Sequence, residues 1–197
     1  MLSMAGLICF SWLYLILAIV IKIDSPGPVL FRQNRIGIHK KEFEILKFRT
    51  MRTDTPHDLP THMLADPDMY ITKSGKFLRK TSLDELPQLI NILKGDMAIG
   101  GPRPALWNQY DLLEERDRYG ANDVRPGLTG WAQIHGRDEL EIPEKARLDG
   151  YYVQHMCFGL DVKCFFGTIS SALRHEGVVE GGTGAMQAET KQTQNIR

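Results

Sequence analysis

The first 21 residues, MLSMAGLICFSWLYLILAIVI, contain no charged side chain. At a rise of about 1.5 Å per residue, one helix of this length reaches across a bilayer hydrocarbon core of about 30 Å. A secretory signal would show a basic start, a shorter apolar stretch and a small-residue cleavage site, and none is visible. A helix buried in the core of a soluble protein is the less favoured alternative. The expected division is a membrane helix over 1–23, a cytoplasmic domain over 24–177 and a disordered Gly- and Gln-rich tail over 178–197. Lys22, Arg32, Arg35, Lys40 and Lys41 follow the apolar segment. The positive-inside rule therefore puts the rest of the chain on the cytoplasmic side.

The remainder excludes several classes. Lys plus Arg equals Asp plus Glu at 24 each, so no global field favours nucleic acid. The three cysteines, Cys9, Cys157 and Cys164, have no metal-ligand spacing and read as reduced thiols. The histidines form no H-E-x-x-H pattern, so no zinc site is expected. A chain of 197 residues supports one domain with a core of ordinary size.

Asp24 to Pro28, DSPGP, ends the apolar helix. VLFRQNRIG and EFEILKFRTM read as two strands joined by the polar turn Ile38 to Lys41. Phe43, Ile45, Lys47 and Arg49 then share one strand face. Arg52 to Pro67 reads as a loop, and Ser74 to Lys80 as a short helix. Leu86, Leu89, Ile90 and Leu93 form an amphipathic stripe that Gly95 stops. MAIGGPRP reads as a short strand and tight loop, and Pro104 is expected to open a helix ending near Gly120. VRPGLTGWAQIHGR reads as loop with one strand. Phe158, Val162, Phe165, Phe166, Ile169 and Leu173 make a second stripe. Such a stripe is usually core, yet on a chain with a membrane segment a face lying on the bilayer surface is preferred. Short strands mixed with amphipathic helices indicate an α+β fold with a β-hairpin.

The stretch KTSLDELPQLINILKGD places two carboxylates, Asp84 and Glu85, at the mouth of an apolar helix. Ser82-x-x-Glu85 has capping-box spacing, and acidic residues suit a first turn. Pro87 argues against a start at Ser82, because it would sit inside the hydrogen-bonded ladder. A start at Asp84 puts Pro87 among the donors that need no partner. Asp84 then becomes the N-cap, ionises easily, and shares a polar edge with Gln88 and Asn91. Free N–H groups at that end also suit a phosphate. An ionised carboxylate beside a phosphate can attack phosphorus and form an acyl phosphate, provided that cations screen the approach. Arg32, Arg35, Lys47, Arg49, Arg79, Arg103, Arg125 and Arg137 lie in short motifs with Gly, Pro or aromatic neighbours, where arginine suits paired phosphate oxygens.

In this order, SPGPVLFRQNRIG, FEILKFRTM, SLDELPQLINILKGDMAIGGPRP and VRPGLTGWAQIHGR closely resemble the bacterial sugar transferase family, the monotopic polyprenyl-phosphate phosphoglycosyl transferases. The resemblance covers roughly Ile19 to Gly177. It implies an enzyme on the cytoplasmic face of the bacterial inner membrane. Such an enzyme moves a sugar phosphate from a UDP-sugar to polyprenyl phosphate and releases UMP. It thereby initiates capsule, exopolysaccharide, O-antigen or glycoprotein glycan synthesis. The family's nucleophile falls on Asp84 and its assisting carboxylate on Glu85, with Mg²⁺ as the metal held there. Substrate binding is implied for Arg49, Arg79, Pro102, Arg103, Pro104, Arg125 and Arg137. The expected partners are a UDP-sugar, polyprenyl phosphate, the bilayer and, in a homodimer, a second copy of the chain. Nucleic acid is not among them.

The family's Ser-Pro pair midway along the membrane helix is replaced here by Ser11-Trp12. With no proline between Leu2 and Ile21, the sequence predicts a nearly straight spanning helix with its N-terminus outside, against a hinge at Ser11. Two other classes remain open from sequence. One is an Asp-nucleophile phosphatase, which would turn over without a lipid acceptor. The other is a catalytically silent membrane scaffold.

Overall fold

A computed structural model describes residues 2–55, 69–136 and 140–174. Arg137, the tail over 178–197, most of the expected Arg52–Pro67 loop and the Leu173 side chain lie outside the described residues.

The apolar N-terminus forms two helices, α1 (Leu2–Cys9) and α2 (Ser11–Asp24). This corrects the expectation of one straight helix. Among the described residues no single helix is long and apolar enough to cross a membrane, and the pair Ser3–Cys9 and Ser11–Asp24 is bent by 63°. Two local features mark the break. Phe10 leaves helical geometry at φ −95° and ψ 7°, and the Ser11 hydroxyl donates back to the Ile8 carbonyl at 2.8 Å, a bond that bends helices. Gly6 lets α1 lie against α4 (Gln88–Lys94), since a Cβ there would sit 3.3 Å from Leu89 Cδ1.

The two predicted strands form an antiparallel hairpin, β1 (Leu30–Ile36) and β2 (Glu42–Phe48), in register from Leu30↔Phe48 to Ile36↔Glu42. A third strand, β4 (Ala105–Leu106), pairs antiparallel with β1. A second sheet pairs β3 (Ala98–Gly100) in parallel with β5 (Gly127–Thr129). Helix α3 (Lys73–Lys80) is capped by Thr72, whose hydroxyl accepts the Gly75 N–H. Gly95, at φ 90°, ends α4 as expected. The α+β expectation therefore holds.

Pro104 does not open a helix. Its neighbours Ala105 and Leu106 pair with β1, and the next helix, α5 (Tyr110–Asp117), starts later. Helix α6 (Ile142–Gln154) has no counterpart among the sequence expectations. It packs Ala146 against Ile36, Leu112 and Leu113 in one apolar cluster. A second cluster joins Leu17 and Ile21 of α2 to Phe48 of β2 and Leu78 of α3.

Helix α7 (Phe158–Arg174) turns its small and polar residues inward. Cys164 is buried, Thr129 Oγ1 hydrogen-bonds the Cys164 carbonyl and the Thr168 hydroxyl, and Gly167 abuts Ile134. Phe158, Phe165, Phe166 and Ile169 are exposed, Phe158 by 84%. Among the described residues, the second stripe is therefore an uncovered face and not core.

Candidate active site

The acidic pair does not begin an α-helix. Ser82 takes the left-handed conformation at φ 55°, Leu83–Glu85 form a single 3-10 turn, and α4 starts only at Gln88 with Pro87 as its N-cap. Asp84 is therefore not an N-cap, and neither Ser82 nor Pro87 makes a side-chain capping bond. Pro87 explains the split. Its φ of −60° suits a helix start, and its lack of an N–H costs nothing there.

The polar edge expected from Asp84, Gln88 and Asn91 is buried. Asn91, fully inaccessible, accepts the Leu46 N–H at 2.9 Å and donates to the Glu44 carbonyl at 2.7 Å. It thereby sews α4 to β2 and sets the strand against the acidic turn. Next along β2, Lys47 Nζ lies 2.9 Å from Glu85 Oε1 and 4.0 Å from Asp84 Oδ2. Arg103 approaches Glu85 with both terminal nitrogens, Nη2 to Oε1 at 2.7 Å and Nη1 to Oε2 at 3.4 Å. Asp84 accepts no hydrogen bond from the described residues.

This environment sets the charge state. Burial pushes the Asp84 carboxyl above its usual range, and the Glu85 charge adds to the rise. Lys47, then Arg79 and Arg103, pull it back down without reversing the shift. An easily ionised Asp84 was expected from an N-cap. The structure corrects this, because the carboxylate is desolvated and receives no capping N–H bonds. Burial also lowers the Lys47 ammonium, against the pull of Glu85.

The other sequence candidates are distributed unevenly. Arg79, at the end of α3, donates Nε to Thr50 Oγ1 at 2.9 Å and acts electrostatically on Asp84. Pro102 and Pro104 are buried on either side of Arg103. Arg49 donates to the carbonyls of Ser25 and Pro26, so its described partners are backbone, not the dyad. The Arg125 side chain is exposed, while its carbonyl lies against Gly101, where a Cβ would come within 2.6 Å. Arg32 makes an exposed pair with Glu44, and Arg35 donates to the Pro104 carbonyl. Of the two cations that the sequence puts on one strand face with Phe43 and Ile45, Lys47 reaches the dyad, whereas Arg49, the one the resemblance implies, bonds to backbone.

Mg²⁺ prefers hard oxygen ligands and is commonly held by one or two carboxylates together with substrate phosphates and water. Asp84 and Glu85 fit that donor set, with the Asp84 carboxylate unengaged by hydrogen bonds from the described residues. Among the described residues no group of three or more His, Cys, Asp or Glu side chains converges.

The site is thus a desolvated carboxylate pair faced by lysine and arginine, on an α+β domain carrying an apolar helix pair. The chain belongs to the bacterial sugar transferase family, whose family model matches residues 1–175. It is 41% identical over 172 residues to the uncharacterized sugar transferase EpsL of Bacillus subtilis, covering 87% of this chain and 83% of that one. It is also 41% identical over 172 residues to a UDP-N-acetylgalactosamine-undecaprenyl-phosphate N-acetylgalactosaminephosphotransferase of Aeromonas hydrophila, covering 83% and 40%. A UDP-glucose:undecaprenyl-phosphate glucose-1-phosphate transferase of Escherichia coli is 43% identical over 161 residues, covering 78% and 34%. The chain thus spans less than half the length of these last two relatives.

Proposed function

We propose that the protein transfers a sugar 1-phosphate from a UDP-sugar to undecaprenyl or a related polyprenyl phosphate, through a covalent intermediate on Asp84. The observation that carries this reading is the Asp84 carboxylate itself. It is buried, has no hydrogen bond from the described residues, and has three cations, Lys47, Arg79 and Arg103, acting on it. A raised pKa makes the ionised carboxylate a better nucleophile, and the cations screen its approach to an anionic diphosphate.

In the first half-reaction an Asp84 oxygen attacks the phosphorus that bears the sugar. The bond from that phosphorus to the bridging oxygen breaks, and UMP leaves with the electron pair. In the second, an oxygen of polyprenyl phosphate attacks the same phosphorus, the bond to Asp84 breaks, and the carboxylate is restored. Lys47 and Arg103 neutralise charge on the transferring group, and Glu85 holds both in place. Mg²⁺, when bound by Asp84, Glu85 and substrate oxygens, would supply further charge neutralisation.

The same reading places the enzyme on the cytoplasmic face of the bacterial inner membrane, at the initiating step of a surface glycan. Two features support a bilayer contact. The bent α1–α2 pair exposes Ile8, Trp12, Leu15 and Ile23, and α7 exposes its phenylalanines. The names of the relatives support the substrates, and a further relative from Rhizobium leguminosarum is named an exopolysaccharide production protein.

The test is UMP release by the purified chain over a panel of UDP-sugars, with and without undecaprenyl phosphate. Sustained UMP release that requires the lipid acceptor is expected for at least one sugar. Sugar phosphate or inorganic phosphate released to water without acceptor would replace this reading with a phosphatase. No turnover with any donor would leave a scaffold.

A further inference from the structure

Arg103, the cation that meets both oxygens of Glu85, sits between two prolines, which offer no N–H to fix the loop. The loop is held by its carbonyls instead. Pro102 O accepts the Gly127 N–H at 2.9 Å, and Pro104 O accepts Arg35 Nη1 at 3.1 Å. The carbonyl of Arg103 itself accepts Arg116 Nη2 at 3.0 Å. Arg116, on α5, also donates Nε and Nη2 to Asp149 Oδ2 on α6, at 2.8 and 2.6 Å. Arg116 is 3% exposed and Asp149 1%.

A buried ion pair is a costly way to join two helices, and apolar residues of similar volume do so at least as well. The charged pair adds directional bonding. Asp149 fixes the plane of the guanidinium, and the fixed plane aims one N–H at the Arg103 carbonyl. Lysine in the same place would keep the charge but lose the planar fork.

We propose that Arg116 and Asp149 are positioning residues for the transfer reaction, acting through Arg103: the buried pair anchors the Arg103 backbone so that its guanidinium stays on Glu85 beside Asp84. This rests on the role given to Arg103 in the proposed function. Neither residue touches substrate. Their effect passes along one line, from Asp149 to Arg116, to the Arg103 carbonyl, and from the Arg103 guanidinium to Glu85.

A double-mutant cycle tests this in the full chain. UMP-release kinetics would be measured for Arg116→Lys, Asp149→Asn and Arg103→Ala, and for each of the first two combined with Arg103→Ala. Each of the first two should lower kcat about tenfold, with KM changed less than about twofold. In the Arg103→Ala background the same substitutions should cost less than about twofold more, because the residue they act through is gone. Equal losses in both backgrounds would overturn the proposal. So would failure of both Arg116→Lys and Asp149→Asn to accumulate as folded protein, which would make the pair a staple between α5 and α6. If Arg103→Ala alone leaves kcat unchanged, the role of Arg103 in the proposed function is what fails. If Arg103→Ala is impaired and the costs simply add, only the positioning role fails.

Discussion

The Lys47 ammonium bridges the acidic pair unequally, 2.9 Å from Glu85 and 4.0 Å from Asp84. Glu85 takes the close contact and shares it with Arg103, while Asp84 keeps its lone pairs for another partner. Two adjacent carboxylates thus have different tasks. Glu85 pairs with both cations, and the buried Asp84 carboxylate accepts no hydrogen bond from the described residues.

This asymmetry fixes the direction of two pH shifts. In the proposed mechanism the ionised form of Asp84 attacks, so activity should fall on the acid side, with a midpoint above the ordinary carboxylate range because burial raises the pKa. Lys47→Met removes the strongest influence lowering that pKa, so the acid limb should move to higher pH. Glu85→Gln removes a neighbouring anion that raises it, so the limb should move to lower pH. Profiles of kcat/KM between about pH 4 and pH 8 read both. Movement in the same direction would separate Asp84 from the acid limb.

Asp84→Asn should abolish turnover and remove the phosphosugar adduct that intact-mass analysis is expected to show when UDP-sugar is added without acceptor. It should also stabilise the fold at neutral pH. Because its folded pKa is raised, Asp84 contributes full stability below its unfolded pKa and loses it as pH rises through the folded value. Asparagine escapes that loss, with each kcal/mol regained raising Tm by about 2–4 °C. Normal turnover in Asp84→Asn would exclude the covalent route.

Among the cations, Arg79→Ala and Arg103→Ala should each lose about 1.5–3 kcal/mol of transition-state binding, roughly ten- to over a hundredfold in kcat/KM. Lys40→Ala should change little, since among the described residues Lys40 makes an exposed pair with Asp117, away from the dyad. Comparable small losses in all three would mean that the phosphate site lies elsewhere.

The bend between α1 and α2, with Gly6 against Leu89, brings α1 back to the catalytic domain. A small epitope placed before Met1 should therefore resist protease in sealed spheroplasts until the membrane is opened. Digestion of the epitope in intact spheroplasts would restore the straight, spanning arrangement. Gly6→Leu should loosen α1 from α4 and increase accessibility.

What could be read from the sequence was local. The hairpin follows from alternation, the Gly95 stop from turn chemistry, and the Asp84–Glu85 pair from adjacency. The straight helix was preferred because no proline lies between Leu2 and Ile21; the alternative, a hinge at Ser11, is what forms, with the serine hydroxyl bonded to Ile8 and α1 packed on α4. The start of α4 was misplaced because Ser82 adopts a left-handed conformation that serine rarely takes. Lys47 and Arg103 reach Glu85 from 38 and 18 residues away. Asn91 reaches β2 across 45 residues, and Arg116 reaches Asp149 across 33. Such partnerships depend on how elements pack, and no short motif carries them. Helix α6 was missed because Pro143 and Gly150 punctuate its pattern. Pro143 falls in the first turn, where it is harmless, and Gly150 is required because a Cβ there would lie 2.5 Å from Tyr119 Cβ.

Leu17 and Ile21 on α2 share one apolar cluster with Phe48 and Leu78, and Phe48 follows Lys47 directly in β2. The N-terminal helix pair is therefore not a detachable tether. Cutting it away would strip the inner wall from the strand that presents Lys47 to the acidic pair. Replacing the outward side chains of α2, such as Leu15, Ile19 and Ile23, while keeping Leu17 and Ile21, would remove its exposed apolar surface and leave that wall in place.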